Sequence, residues 1–171
     1  MFGLLVPALV GSLLLATLST IADYVWFLNI PQHQVLSGSI HGASLFTALG
    51  AYLGFRKGKI GTGALGGLVS GLAAALSFYA LAPIGGYNMM LVSWLLLWIL
   101  LAALQTYLDG RLDWGKALAR GIATSIAAAL GFLVVLFQLY RGWPPETFSA
   151  PTHFIAWSMA YLPGLYVLLK R

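Results

Sequence analysis

The chain has 171 residues, 60% of them hydrophobic and 8% charged, with nine basic and four acidic side chains, a net charge of +5 and no cysteine. A soluble domain carries about 25% charged residues, so this composition excludes a water-soluble fold and makes the bilayer the solvent. Absent cysteine excludes disulfides, thiolate metal sites and Cys nucleophiles, and in so apolar a chain the positive charge reads as loop charge that sets membrane orientation, with no nucleic-acid partner expected.

A helix needs roughly 20 apolar residues to cross the hydrocarbon. Six such runs are visible: Phe2–Ala22, Val35–Phe55, Gly61–Pro83, Tyr87–Tyr107, Ala117–Tyr140 and Thr152–Leu169. The first run has neither a basic leader nor a cleavage site, so it is expected to be a retained span. Between the first and second runs, "NIPQHQVLSGSIHG" reads as a re-entry elbow: Pro31 breaks the chain direction, and Gly38 and Gly42 allow close packing as the helix enters. The break at "PIGGYN" carries no charge; without it the count falls to five. With six spans, Arg56, Lys57, Lys59, Arg111, Lys116, Arg120, Lys170 and Arg171 share one side and only Arg141 lies on the other. That asymmetry predicts cytoplasmic termini. The fold expected is an all-α bundle of six transmembrane helices, one integral-membrane domain over residues 1–171, in a bacterial or archaeal inner membrane. Tyr24, Trp26, Tyr87, Tyr140 and Trp143 fall at the outer boundary and Trp114 at the inner one, as an interfacial belt would.

Gly63, Gly67 and Gly71 repeat every four residues, and Gly50 with Gly54, and Gly121 with Ser125 and Ala129, make similar faces. Small residues at that spacing let helix backbones approach closely in lipid, within one chain or across a homodimer. "ATLSTIAD" (Ala16–Asp23) echoes "AALQTYLD" (Ala102–Asp109). A true repeat at that offset would be inverted, as in many transporters.

No Asp, Glu, Lys or Arg falls near the middle of a predicted span, which argues against an ion-coupled pump. All three histidines, His33, His41 and His153, are placed on the outer side with Asp23 and Glu146. The candidate lining of a ligand pocket is His41, Ser44, His153 and Trp157 with Asp23 and Asn88. The bland alternative is interfacial histidines bonded to backbone, water or lipid headgroups. A metal or haem on His41, His153 and Glu146 is the third option, although no metal, carboxylate-pair or phosphate-loop motif is present and no cofactor is expected beyond a bound lipid. On the inner side Asp109, Arg111, Asp113 and Lys116 read as a solvated mixed-charge turn.

The layout resembles the Insig (insulin-induced gene) family, whose bacterial members are small six-span proteins. The resemblance lies in the elbow "ADYVWFLNIPQHQVLSGSIHGASLF", in "LQTYLDGR" closing the fourth span before the "GIA" of the fifth, and in "YRGWPPETF" leading to "WSMAYLPGLY". The family's Trp-Trp pair at the second-span elbow is replaced by "SGSIHG". The resemblance implies a sterol or diacylglycerol-like lipid in a central cavity, no enzymatic activity, and a partner-binding role for Asp109. The functions left open are a non-catalytic lipid- or apolar-ligand-binding bundle, a small carrier for a neutral solute, an outer-face His-based enzyme or metalloprotein, and an accessory subunit of a larger membrane complex. The expected partners are membrane lipid and either a second copy or that complex.

Overall fold

The computed structural model describes residues 2–29, 34–140 and 148–170. The described residues contain no β-strand. They form α1 (Phe2–Asn29), α2 (Gln34–Phe55), α3 (Ile60–Gly85), α4 (Met89–Leu108), α5 (Trp114–Tyr140) and α6 (Ala150–Leu169). A 3-10 turn at Gly86–Asn88 joins α3 to α4 with no coil residue between them, so these residues make five unbroken helical stretches.

The third stretch nevertheless doubles back. Ser77 Oγ donates to Ser93 Oγ at 2.8 Å across 16 residues, which on one straight helix would be about 24 Å apart. Gly86, at φ 60°, supplies the left-handed residue that the reversal needs. Four stretches, Gly3–Val25, Ile60–Leu108, Trp114–Val135 and Ala150–Leu169, are long and apolar enough to cross a membrane. That marks the chain as a membrane protein. α2 is not among them, its first half carrying Ser37, Ser39, His41 and Ser44.

The helices form a ring in chain order. α2 packs on α3, α3 on α4, α4 on α5, α5 on α6 and α6 on α1; α1 and α2 close the ring with the least extensive of these contacts. α4 contributes most to the interior; its Leu97, Trp98, Leu101 and Ala102 belong to one buried core with Tyr161, Leu165 and Leu168 of α6 and Leu49 and Leu53 of α2. The outward faces are apolar: Val6, Val10 and Leu14 on α1, and Ile122, Ile126, Leu130 and Val134 on α5, are all exposed. Such a surface suits hydrocarbon, where each helix satisfies its own backbone.

Glycine decides the closest contact. A Cβ on Gly67 would collide with the Phe46 carbonyl oxygen, one on Gly50 with the Gly63 carbonyl oxygen, and one on Gly71 with that of Gly42. The stripe that would equally suit a dimer seam is thus used within one chain, between α2 and α3. Gly121 likewise admits Ile99 of α4, and Gly131 admits the Met159 carbonyl of α6.

Two helix ends share one construction. After α2, Gly58 N–H donates to Phe55 O and Lys59 N–H to Gly54 O; after α4, Gly110 N–H donates to Tyr107 O and Arg111 N–H to Thr106 O. Each is a Schellman cap with a left-handed glycine, at φ 68° for Gly58 and 104° for Gly110. Both lie at the end of the ring where Leu4 and Leu169 meet Lys57 and Asp109, so the two chain ends share this basic end.

Candidate functional site

At the opposite end, α1 runs further than the apolar run suggested. No residue breaks the helix before Pro31, so Asp23, placed by the sequence just beyond the first span, lies inside α1 and inside the Gly3–Val25 stretch. Its carboxylate is mostly buried, with 20% of the side chain exposed.

The carboxylate is held by α6. His153 Nδ1–H donates to Asp23 Oδ2 at 2.9 Å, and Trp157 Nε1–H donates to the same oxygen at 2.6 Å. His153 and Trp157 are four residues apart and therefore share a face. The pattern continues one turn deeper on both helices, where Ser19 Oγ meets Tyr161 OH at 2.9 Å. Ser12 Oγ donates to the Ser158 carbonyl at 3.0 Å further along. The α1–α6 seam is thus a polar ladder inside an apolar bundle, each rung satisfying groups that lipid could not.

An aromatic column fixes these rungs. Trp157 stacks on Tyr161 at 5.5 Å and on Trp94 of α4 at 5.7 Å, and meets Phe132 of α5 at 4.5 Å. Phe148 lies 4.5 Å from the His153 ring. Rings at these separations attract beyond their buried area, so His153 and Trp157 have little rotameric freedom and Asp23 has a pre-set orientation.

His41 approaches from α2. Its Nδ1 lies 4.0 Å from Asp23 Oδ1. That distance allows attraction but is too long for a hydrogen bond. Among the described residues no hydrogen bond holds the His41 ring. It faces a groove between α1 and α2 of about 390 Å³, walled by Leu18, Ile21, Val25, Ile40 and Leu45, with Ser37, His41 and Ser44 as its polar groups. This volume lies within the roughly 300–1,000 Å³ of small-molecule pockets. The groove sits at the seam where the ring is least tightly packed.

Of the sequence candidates, Asp23, His41, His153 and Trp157 converge, and Ser44 lines the adjoining groove. Asn88 does not join them; it is exposed in the turn between α3 and α4. Glu146 and His33 lie outside the described residues. No group of three or more His, Asp or Glu among the described residues is arranged to hold a metal ion. Ser19 and Tyr161 are not among the sequence candidates, although each is four residues from a member of the site.

At the basic end Asp109 forms an ion pair with Lys57 and accepts a 3.5 Å hydrogen bond from Gln105 Nε2. Asp113 caps α5 by accepting the Lys116 backbone N–H at 3.0 Å. That bond holds its carboxyl below the ordinary carboxylate range, with the charges of Lys116 and Arg111 adding to it.

The class defined by this fold and site is a helical membrane protein with a carboxylate–imidazole centre at one end of its ring. Comparison with protein-family models, curated proteins and solved structures gives no match.

Proposed function

We propose that the chain is a six-span, non-catalytic membrane protein that holds a lipid or other apolar molecule in the α1–α2 groove. In this reading both termini are cytoplasmic, the membrane is a prokaryotic inner membrane, and the histidine end faces outward. The observation that carries it is the groove itself: apolar walls at the loosest seam of the ring, with its few polar groups being Ser37, His41 and Ser44. Positive charge concentrated at the opposite end supports the orientation. The Insig-like layout of the sequence accords with a guest of sterol or diacylglycerol size.

Selectivity follows from the solvent. Lipid tails are as apolar as the groove walls, so an acyl chain gains little by leaving the bilayer for the groove. Discrimination falls to the polar end, where a hydroxyl or ester can reach His41 and the serines. Asp23, fixed by His153 and Trp157, attracts the His41 ring. It thereby favours the ring orientation that leaves the other nitrogen for the guest.

The test is native mass spectrometry in mild detergent, on wild type and His41→Phe. An interhelical hydrogen bond in lipid contributes about 0.6 to 1.7 kcal/mol, so retention of a lipid-mass adduct falls about 3- to 15-fold in the variant. Bare wild-type protein, or equal retention by the variant, refutes the proposal. The Asp23–His153 pair within the apolar stretch favours one further reading, a proton-linked carrier for a neutral solute. Proton uptake by proteoliposomes that Asp23→Asn abolishes would select it.

A further inference from the structure

We propose that the basic end contains a binding cleft for a phosphate monoester, separate from the α1–α2 groove. The two Schellman caps place the α2–α3 and α4–α5 connections face to face across a cleft of about 670 Å³. Lys57, Lys59, Arg111, Lys116 and Arg120 line it, against two carboxylates, Asp109 and Asp113, an excess of three positive charges.

Both carboxylates are already engaged, Asp109 by Lys57 and Asp113 by the Lys116 backbone N–H with the Lys116 ammonium at 3.8 Å. Lys59 Nζ donates to the Leu108 carbonyl at 3.2 Å. Arg111 and Arg120 have no carboxylate within ion-pair distance among the described residues. Arg120 is half-buried, nearly two turns into α5, and also lines a second cavity of about 170 Å³ that continues past Arg56, Lys57 and Gln105. A partly buried guanidinium without a counter-ion is costly unless an anion joins it.

Gln105 supplies an independent observation. It is 5% exposed, lines that second cavity, and its amide oxygen has no hydrogen-bond partner among the described residues. A buried acceptor of this kind calls for a donor. A phosphate monoester offers both halves of the match: anionic oxygens for the fork-shaped guanidinium groups of Arg111 and Arg120, and, when singly protonated, a P–OH for Gln105. Orientation pressure alone accounts for cations in these loops, but not for a cleft that holds an arginine without a carboxylate partner and, in the second cavity that Arg120 also lines, a buried amide oxygen without a donor.

The phosphate can belong to a lipid headgroup or be free in solution, and the test separates the two. Protein in neutral detergent is titrated with dioleoyl phosphatidic acid, with dioleoyl phosphatidylcholine and with inorganic phosphate, following adducts by native mass spectrometry and the melting temperature. Phosphatidic acid is retained about tenfold over phosphatidylcholine if the source is the lipid. A melting-temperature rise with inorganic phosphate alone assigns the free anion. Arg111→Gln and Arg120→Gln each weaken the effective ligand about tenfold, while Lys170→Gln, outside the cleft, leaves it unchanged. Should Arg120→Gln lose its circular dichroism spectrum, Arg111→Gln on the exposed loop decides alone. Equal retention of both lipids with no phosphate response, or an equal loss in Lys170→Gln, overturns the proposal.

Discussion

Replacing Gly67 by Ala tests the packing on which the ring depends. In a helix interior the exchange gains about 1 kcal/mol of intrinsic propensity. Here the new methyl would collide with the Phe46 carbonyl oxygen and lie 2.9 Å from Gly50 Cα. Both obstacles are backbone, so no rotamer change relieves them and α2 must move off α3. Overpacking of this kind costs about 1–3 kcal/mol, and rigid obstacles put it at the upper end. The net loss is then about 2 kcal/mol, or roughly 4–8 °C in melting temperature for a chain of this size. Thermal unfolding followed by tryptophan emission in detergent measures it. Gly61→Ala is the control, because a Cβ there meets nothing within 4 Å. If Gly67→Ala melts at or above wild type, the α2–α3 contact does not have the geometry described.

Two further outcomes follow from the charged groups. Asp23→Asn removes the charge that Trp157 and His153 bond to and costs about 1.5–3 kcal/mol; in a double-mutant cycle with Trp157→Phe the two changes couple by more than about 0.5 kcal/mol, and strict additivity would refute the ladder. Asp113 has its carboxyl lowered by the Lys116 backbone N–H, so its stabilisation is present above the unfolded-state pKa and is lost as the pH falls below about 4. Asp113→Asn therefore flattens the melting-temperature profile between about pH 5 and 3, and an unchanged profile would refute that assignment.

The legible part of the sequence is mostly local. The apolar runs locate α2 to α6 to within about three residues, because length and hydropathy dominate in lipid, but they end α1 at Ala22 where the helix continues to Asn29. Gly58 and Gly110 mark the helix ends they cap. Gly63, Gly67 and Gly71 announce a close contact, but their partners Gly42 and Gly50 on α2 emerge only once the ring order is known. The sequence alone puts Asp23 just outside its span, because a charge ends an apolar run. In the fold, partners on α6 compensate it and the helix continues. Asn88 is a pocket candidate on the sequence but is exposed in the α3–α4 turn; sequence position along a helix says nothing about position around a ring. Ser19 and Tyr161 carry a legible signal, the four-residue spacing from Asp23 and Trp157, but it has meaning only once α1 is known to face α6.

Photo-crosslinking shows whether a guest occupies the α1–α2 groove. A diazirine-bearing diacylglycerol is added to the protein in bilayers, illuminated, and the labelled peptides are mapped. With a guest in the groove, labelling concentrates on Leu18–Val25 and Ser37–Leu45, is displaced by excess unlabelled lipid and falls in His41→Phe. Labelling spread evenly onto the exposed α5 face at Ile122, Ile126 and Leu130, with no displacement, means that the groove holds no specific guest.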